Sequence, residues 1–374
     1  MKSLALEMKL KKDLMNLKSP IIESPNIWGY RNKCEFACGL NGQVGFYLGR
    51  NEDGTVEIVS GKDCPHVSEL MKKIALNFQE FLATLPFHGY DSLKEEGHFR
   101  QLVLRTSQRG EVMALVQFHP QQLSSEEISE ACAAVYNFYQ NLCLNERIKL
   151  SCGFFQLYSK RTVGIFPDDP IELIYGDSPY IYESLLNLTF RISITSFFQV
   201  NVPATEKLYK LIEDWCGLSE SSVLLDICCG TGTIGLSLSS KVPKVIGLEL
   251  VQSAVNDANF NASLNGINNV EFFCGHAEAT LPRVLDKYAS VSDCVGVVDP
   301  PRAGLHPSLI RAFRKSSLKK LIYVSCDYKQ AKSNFINLCK EDGGAPPFEL
   351  KKYCAVDLFP HTHHTELVLL FERN

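Results

Sequence analysis

The period of apolar and polar positions changes once along the chain, near Thr195. Before that point, short alternating stretches at 34–40, 44–48 and 56–59 lie in Gly-, Asn- and Pro-rich sequence and predict hairpins. Leu70, Ile74, Phe78, Phe81 and Leu82 recur at helical spacing and predict a helix over 67–85. Two apolar runs, 101–106 and 112–118, flank Ser107-Gln108-Arg109-Gly110, a hairpin signal. Ser124-Ser125-Glu126-Glu127 reads as the N-cap of a helix reaching 142, and strands follow at 149–158 and about 180–194. This half is expected to be antiparallel α+β.

After Thr195 strands and helices alternate. Strands are expected at 223–226, 244–249, 270–274, 295–299 and 320–325, with helices at 233–240, 253–264 and 306–315. That order predicts a parallel, doubly wound sheet. The stretches 348–356 and 366–371 have no helix between them and predict an antiparallel addition at the sheet edge. The boundaries are therefore an N-terminal helix or extension over 1–25, a central α+β domain over 26–194, and an α/β domain over 195–374.

A length of 374 residues, 45% hydrophobic and 21% charged, suits two or three globular domains. No apolar run is long enough to span a bilayer. Residues 1–17 are lysine-rich but carry Glu7 and Asp13, which reads as an amphipathic helix and not as a targeting peptide. Fourteen cysteines without a secretion signal or a Cys-x-x-Cys pair read as reduced thiols of an intracellular protein, in the cytosol, the nucleus or both, with the mitochondrion left open, and they signal a metal site only weakly, so no metal is expected. His361, His363 and His364 lack a partner at ligand spacing. With a net charge of −4, any RNA contact must use local clusters. Candidates are Arg31 with Lys33, Arg100 with Arg105 and Arg109, Lys160 with Arg161, and Arg311 to Lys320; each taken singly also reads as a solvated face.

Gly230, Gly232 and Gly235 follow Asp226-Ile227-Cys228-Cys229 at the end of the first parallel strand. This spacing allows a tight turn beneath a ligand at a helix N-terminus, and by itself suits dinucleotides as well. Glu249 ends the next strand, where a carboxylate can accept ribose hydroxyls. Three features favour S-adenosyl-L-methionine. Asp226 suits a cationic methionyl group and would repel a pyrophosphate; Asp299-Pro300-Pro301-Arg302 is a stiff loop suited to a planar acceptor; and the terminal strands depart from two matched mononucleotide halves. The fold class expected is therefore α/β, a class I methyltransferase Rossmann-like sheet preceded by an antiparallel α+β substrate domain.

Leu321-Ile322-Tyr323-Val324-Ser325-Cys326 places a thiol at the carboxyl end of a strand, where open α/β sheets hold their ligands. A thiolate there can add to carbon 6 of uracil and make carbon 5 nucleophilic. The following helix N-terminus is expected to lower the thiol pKa. A base must then remove the carbon 5 proton. Glu366, at the start of the last apolar run, is a candidate, although spacing alone equally describes an exposed strand end. Alternatives stay open: an RNA cytosine-5-methyltransferase, disfavoured because Pro300-Pro301-Arg302 contains no thiol; a non-catalytic RNA-binding or chaperone protein; and an NAD-dependent oxidoreductase.

Several motifs together resemble the RNA uracil-5-methyltransferases, most of all the animal tRNA (uracil-5-)-methyltransferases that form 5-methyluridine in the T-loop. They are Ser196-Phe197-Phe198-Gln199-Val200-Asn201, Asp226 to Gly235, Gly247-Leu248-Glu249, Asp299 to Gly304, Tyr323 to Cys326, and Phe359-Pro360-His361 to Glu366. Arg31-Asn32-Lys33 with Glu35-Phe36 resembles the early substrate-domain signature. The resemblance runs from about Asn26 to Arg373. It implies Cys326 as nucleophile and Glu366 as proton acceptor. Gln199, Glu249 and Asp299 are implied to contact S-adenosylmethionine or the base, with Cys228–Gly230 beneath the cofactor. It further implies tRNA as partner, with other structured RNA left open, and an RNA-binding role for 26–194; apart from the resemblance, a monomer is expected. Asp327-Tyr328 follow the thiol where the family commonly shows Asn-Pro, and the added carboxylate opposes thiolate formation. Larger eukaryotic relatives carry an upstream RNA-recognition module not read here, so the chain is expected to be a catalytic fragment.

Overall fold

The computed structural model describes residues 14–50, 56–91, 93–160, 170–288, 293–341 and 346–373. The amphipathic helix expected over 1–17 falls mostly outside these, and Leu14–Leu17 form a single 3₁₀ turn. Arg161 also lies outside the described residues. The chain divides into two compact units, Ile27–Ser184 with Arg191–Ser196, and residues 1–26 with Leu185–Phe190 and Phe197–Asn374.

The first unit holds a seven-stranded sheet in the order β3-β2-β1-β4-β5-β6-β7. Its strands are β1 (Lys33–Cys38), β2 (Val44–Arg50), β3 (Val56–Ser60), β4 (Phe99–Thr106), β5 (Val112–Phe118), β6 (Leu150–Leu157) and β7 (Glu172–Tyr175). Helices α1 (Glu69–Leu82) and α2 (Ser125–Leu144) cover one face, where Phe36, Phe78, Phe99, Phe118 and Phe138 share a core. Ser124 caps α2 with a reciprocal capping box, as its sequence signature predicts. The sheet is antiparallel except between β5 and β6, which pair in parallel because α2 carries the chain back across the sheet.

Two basic candidates are taken up by this unit. Arg100 is 7% exposed, lies over the rings of Tyr90 and Tyr158, and donates to the Lys160 carbonyl. Arg105 is 4% exposed and donates to the Ser196 carbonyl.

The strand expected over 180–194 is instead a hairpin, β8 (Ile181–Leu185) and β9 (Leu188–Ile192). Its two-residue turn holds Leu186 at φ 49° and Asn187 at φ 63°. Both left-handed positions are needed for a tight turn matching strand twist, and leucine there hid the signal.

The second unit is a doubly wound sheet in the order β12-β11-β10-β13-β14-β16-β15. The strands are β10 (Ser222–Ile227), β11 (Lys244–Glu249), β12 (Val270–Cys274), β13 (Asp293–Val298), β14 (Lys320–Ser325), β15 (Glu349–Val356) and β16 (Glu366–Glu372). Strands β10 to β14 are mutually parallel, whereas β16 is antiparallel to both β14 and β15. Buried on both faces, the central strands read as near-continuous apolar runs. Helices α4 (Thr233–Leu238), α5 (Gln252–Leu264) and α7 (Pro307–Lys315) fall at or next to the predicted positions, and α8 (Tyr328–Leu338) is the helix expected to follow Cys326.

Two further helices, α3 (Val202–Cys216) and α6 (Ala277–Lys287), were not read from the sequence. α3 starts on an Asn201 cap and ends on Gly217 in the left-handed conformation. The strand order reverses at β10, with β11 on one side and β13 on the other, which opens a crevice at the carboxyl ends of the strands.

Candidate active site

The glycine turn follows β10 directly. Cys228 adopts φ 62° and Gly230 φ 54°, and a Cβ built on Gly230 would meet no atom within 4 Å. The backbone is therefore bare where a ligand can approach it. Glu249, at the end of β11, braces this turn. Its Oε2 accepts the Gly230 N–H at 2.9 Å, and its Oε1 accepts those of Leu250 at 2.7 Å and Val251 at 2.9 Å. Leu250 and Val251 are exposed beside it. Gly247 pairs with Asp226 across the strands, and a Cβ there would stand 2.2 Å from Phe272 Cδ1 and 2.9 Å from Cys229 Sγ. Only glycine leaves room for that packing beneath the turn.

Asp226 departs from its expected role beside a cationic methionyl group. It is fully buried, and its Oδ2 accepts the Gly235 N–H at 2.7 Å. It ties the first turn of α4 to β10 from below. Burial pushes its carboxyl up to about 7, although the Gly235 bond opposes this. Cys228 is half-buried and its thiol is pushed up to about 12, first by burial and then by the nearby Glu249 and Asp299 carboxylates. That suits a lining group better than a nucleophile.

The second half of the site comes from β13, β14 and β16. Because β16 runs antiparallel to β14, its first residues meet the last residues of β14, with Ser325 opposite Leu367. Glu366 thus reaches the edge where Cys326 and Asp299 leave their strands. Gln199, from the motif before α3, donates its Nε2 to Asp299 Oδ2 at 3.2 Å. Glu366 is 1% exposed, and its carboxyl is held well above the usual range by burial and by Asp299. Asp299 is itself raised to about 6 by burial, with the Gln199 bond opposing.

Cys326 is half-buried at the end of β14, so its thiol is not walled into the interior. Its pKa does not fall as expected from the helix N-terminus that follows. Burial, then Glu366 and Asp299, push it up to about 11, and only Arg302 and a backbone contact oppose them. Desolvation and two carboxylates outweigh one turn of helix dipole. Asp327 plays a different part from the one expected. Its Oδ1 accepts the N–H groups of Lys329 at 3.0 Å and Gln330 at 3.2 Å as the N-cap of α8.

Tyr209 was missed by sequence reasoning. Its hydroxyl lies 2.8 Å from Thr233 Oγ1 at the start of α4, and after burial the charges of Asp299, Asp226 and Glu366 raise its pKa. The signal was the helical spacing of Leu208, Tyr209, Ile212 and Cys216 in α3. Among the described residues, no three His, Cys, Asp or Glu side chains converge as metal ligands.

A glycine turn and a ribose-length carboxylate on one flank, with a thiol and carboxylates on the other, define a class I methyltransferase fold. A family model for tRNA (uracil-5-)-methyltransferase matches residues 177–374, and the chain belongs to that family. It is 44% identical over 363 residues to tRNA (uracil-5-)-methyltransferase homolog A of Mus musculus, covering 94% of this chain and 58% of that protein. With homolog B of Homo sapiens the identity is 40% over 372 residues, covering 96% of this chain and 73% of the relative. The chain therefore spans less than two thirds of the length of homolog A. The fold is shared with the Pyrococcus abyssi tRNA (uracil-54, C5)-methyltransferase, crystallised in complex with S-adenosyl-L-homocysteine. The TM-score is 0.71 at 23% identity, over 99% of this chain and 83% of that one.

Proposed function

We propose that this chain methylates carbon 5 of a uridine in tRNA, with the T-loop uridine as its target, using S-adenosylmethionine as donor. The observation that carries the reading is the meeting of a half-buried thiol, Cys326, with the Glu366 and Asp299 carboxylates at the strand edge that also bears the glycine turn.

The residues present fit the donor. The backbone at Gly230 is open, since a Cβ there would meet no atom within 4 Å, and Glu366 Oε1 is buried at the reacting edge without a hydrogen-bond partner of its own. Glu249 and the Cys228–Gly230 turn would hold the nucleoside end, with Asp299 and Gln199 between it and the base. When bound, S-adenosylmethionine supplies an electrophilic sulfonium methyl.

Every other step belongs to the chain. The Cys326 sulfur forms a bond to carbon 6, and the carbon 5–carbon 6 pair moves onto the ring as an enolate. Arg302 favours the thiolate against the surrounding carboxylates. After methylation, Glu366 takes the proton from carbon 5, the C–H pair restores the double bond, and the carbon–sulfur bond breaks with its pair returning to Cys326. The target base must leave its stack to reach the site, at a cost of a few kcal/mol.

The test uses tRNA carrying 5-fluorouridine, whose carbon 5 offers no proton to remove. With S-adenosylmethionine, the wild-type chain is expected to form a protein–RNA complex that survives denaturation, and Cys326→Ala is expected to form none. An undiminished adduct or full turnover with Cys326→Ala would sink the mechanism. Methyl transfer to cytidine alone would replace it with the cytosine-5 reading.

A further inference from the structure

Asn201 lies just beyond Gln199 and is fully buried, at 0% exposed. Its Nδ2 donates to Ser24 Oγ at 3.0 Å and to the Leu358 carbonyl at 3.1 Å, while its Oδ1 accepts from Ala204 N at 3.3 Å. Its own carbonyl accepts the Thr205 N–H at 2.9 Å and the Thr205 hydroxyl at 2.7 Å. Both side-chain N–H groups and the side-chain oxygen are used, so the amide is satisfied in this one arrangement.

Each bond reaches a different piece of chain. Ala204 opens α3, the helix that carries Tyr209. Leu358 opens the connection that ends at Glu366. Ser24 belongs to an N-terminal strap that runs beside β15, bridging Lys18 to Tyr353 and Ile22 to Val356. The strap is clasped at both ends of this stretch. Ser19 N donates to the Tyr353 carbonyl at 2.8 Å, Ile22 N to Ala355 at 3.0 Å, and Asp357 N back to Ile22 at 2.8 Å. Asn201 is thus the knot where the strap, the Gln199 motif and the approach to Glu366 meet.

We propose that Asn201 is a positioning residue that holds Gln199 and Glu366 in one frame, and that the strap locks this frame through Ser24. The inference rests on the methyl-transfer reading above. Addition of the Cys326 sulfur depends on β14, and the Asn201 hydrogen bonds go instead to Ser24, Leu358, Ala204 and Thr205. Removal of the carbon 5 proton depends on where the Leu358 connection places the Glu366 carboxylate. Loosening the knot should therefore slow release of the adduct more than its formation, since small misplacements of a reacting group cost large factors in rate.

The test is Asn201→Asp, which keeps the shape and the oxygen facing Ala204 N but removes both donors and sets an oxygen against the Leu358 carbonyl. Ser24→Ala removes the strap contact alone and leaves the amide in place. On ordinary uridine-containing tRNA with S-adenosylmethionine, turnover by Asn201→Asp is expected to fall about tenfold or more. Denaturation-resistant adduct should accumulate, and S-adenosylhomocysteine affinity should stay within about threefold of wild type. Ser24→Ala should shift the same readouts in the same direction by less. Unchanged turnover in Asn201→Asp overturns the proposal, as does turnover that falls together with adduct and folded protein. A wild-type chain that forms no adduct on 5-fluorouridine RNA overturns the functional reading and this inference with it. A wild-type chain that forms one, with no accumulation in Asn201→Asp, overturns this inference alone.

Discussion

Gln199 donates its side-chain amide to Asp299 Oδ2 at 3.2 Å, across 100 residues of sequence. A donor on a carboxylate favours the ionised form, and here it works against the burial that raises Asp299 to about 6. Gln199→Ala removes the donor, so the Asp299 carboxyl should rise further. If ionised Asp299 is required, the acid limb of the kcat/KM profile should move to higher pH. A profile whose acid limb stays in place would show that the contact does not tune the reaction.

Glu366→Gln keeps the shape of the proposed base but cannot take a proton. Turnover should fall by at least about two orders of magnitude, within the range general-base catalysis supplies, while adduct on native uridine builds up. A second readout needs no RNA. Glu366 is the foremost charge holding the Cys326 thiol up, so its neutralisation should lower that pKa and speed iodoacetamide labelling at pH 8. Labelling at the wild-type rate would separate the two side chains electrostatically.

Glu249 accepts three backbone N–H groups with two oxygens, Gly230 with one and Leu250 and Val251 with the other. Glu249→Gln replaces one oxygen with a donor, which must then face an amide. The mismatch costs roughly 1–3 kcal/mol, about tenfold or more in affinity for S-adenosylhomocysteine by calorimetry. Because Glu249 ends β11, with β10 and β13 between it and β14, thiol labelling of the free protein should be unaffected.

Asp226 is buried with one oxygen unpartnered and its carboxyl raised to about 7. A carboxyl whose folded pKa lies above its unfolded value holds its proton longer in the native state. Its contribution to stability is therefore full below about pH 4 and is lost as pH rises through about 7. Asp226→Asn still offers an oxygen to Gly235 and carries no charge, so it should be more stable than wild type at pH 8. The gain is on the order of 4 kcal/mol at most, shrinking towards pH 5. Melting temperatures at the two pH values measure it, and an equal offset at both would mean that Asp226 does not titrate in this range.

Local patterns along the chain specify the alternation of strands and helices after Thr195, the turn from Asp226 to Gly235, and a thiol at the end of the Leu321–Ser325 run. Periodicity, glycine spacing and a strand's polar terminus are properties of neighbouring residues, so they survive without a fold. Tertiary structure alone decided that β16 inserts between β14 and β15 in reverse, which carries Glu366 to Cys326. It also decided that Leu186 turns in the left-handed region, and that residues 14–26 pack with the second unit. The thiol shows the division best. Its place was legible, yet the direction of its pKa was misread, because a titration depends on desolvation and on charges brought near from Asp299 and Glu366. Those distances are set by strand pairing between segments remote in the chain, which no local pattern encodes.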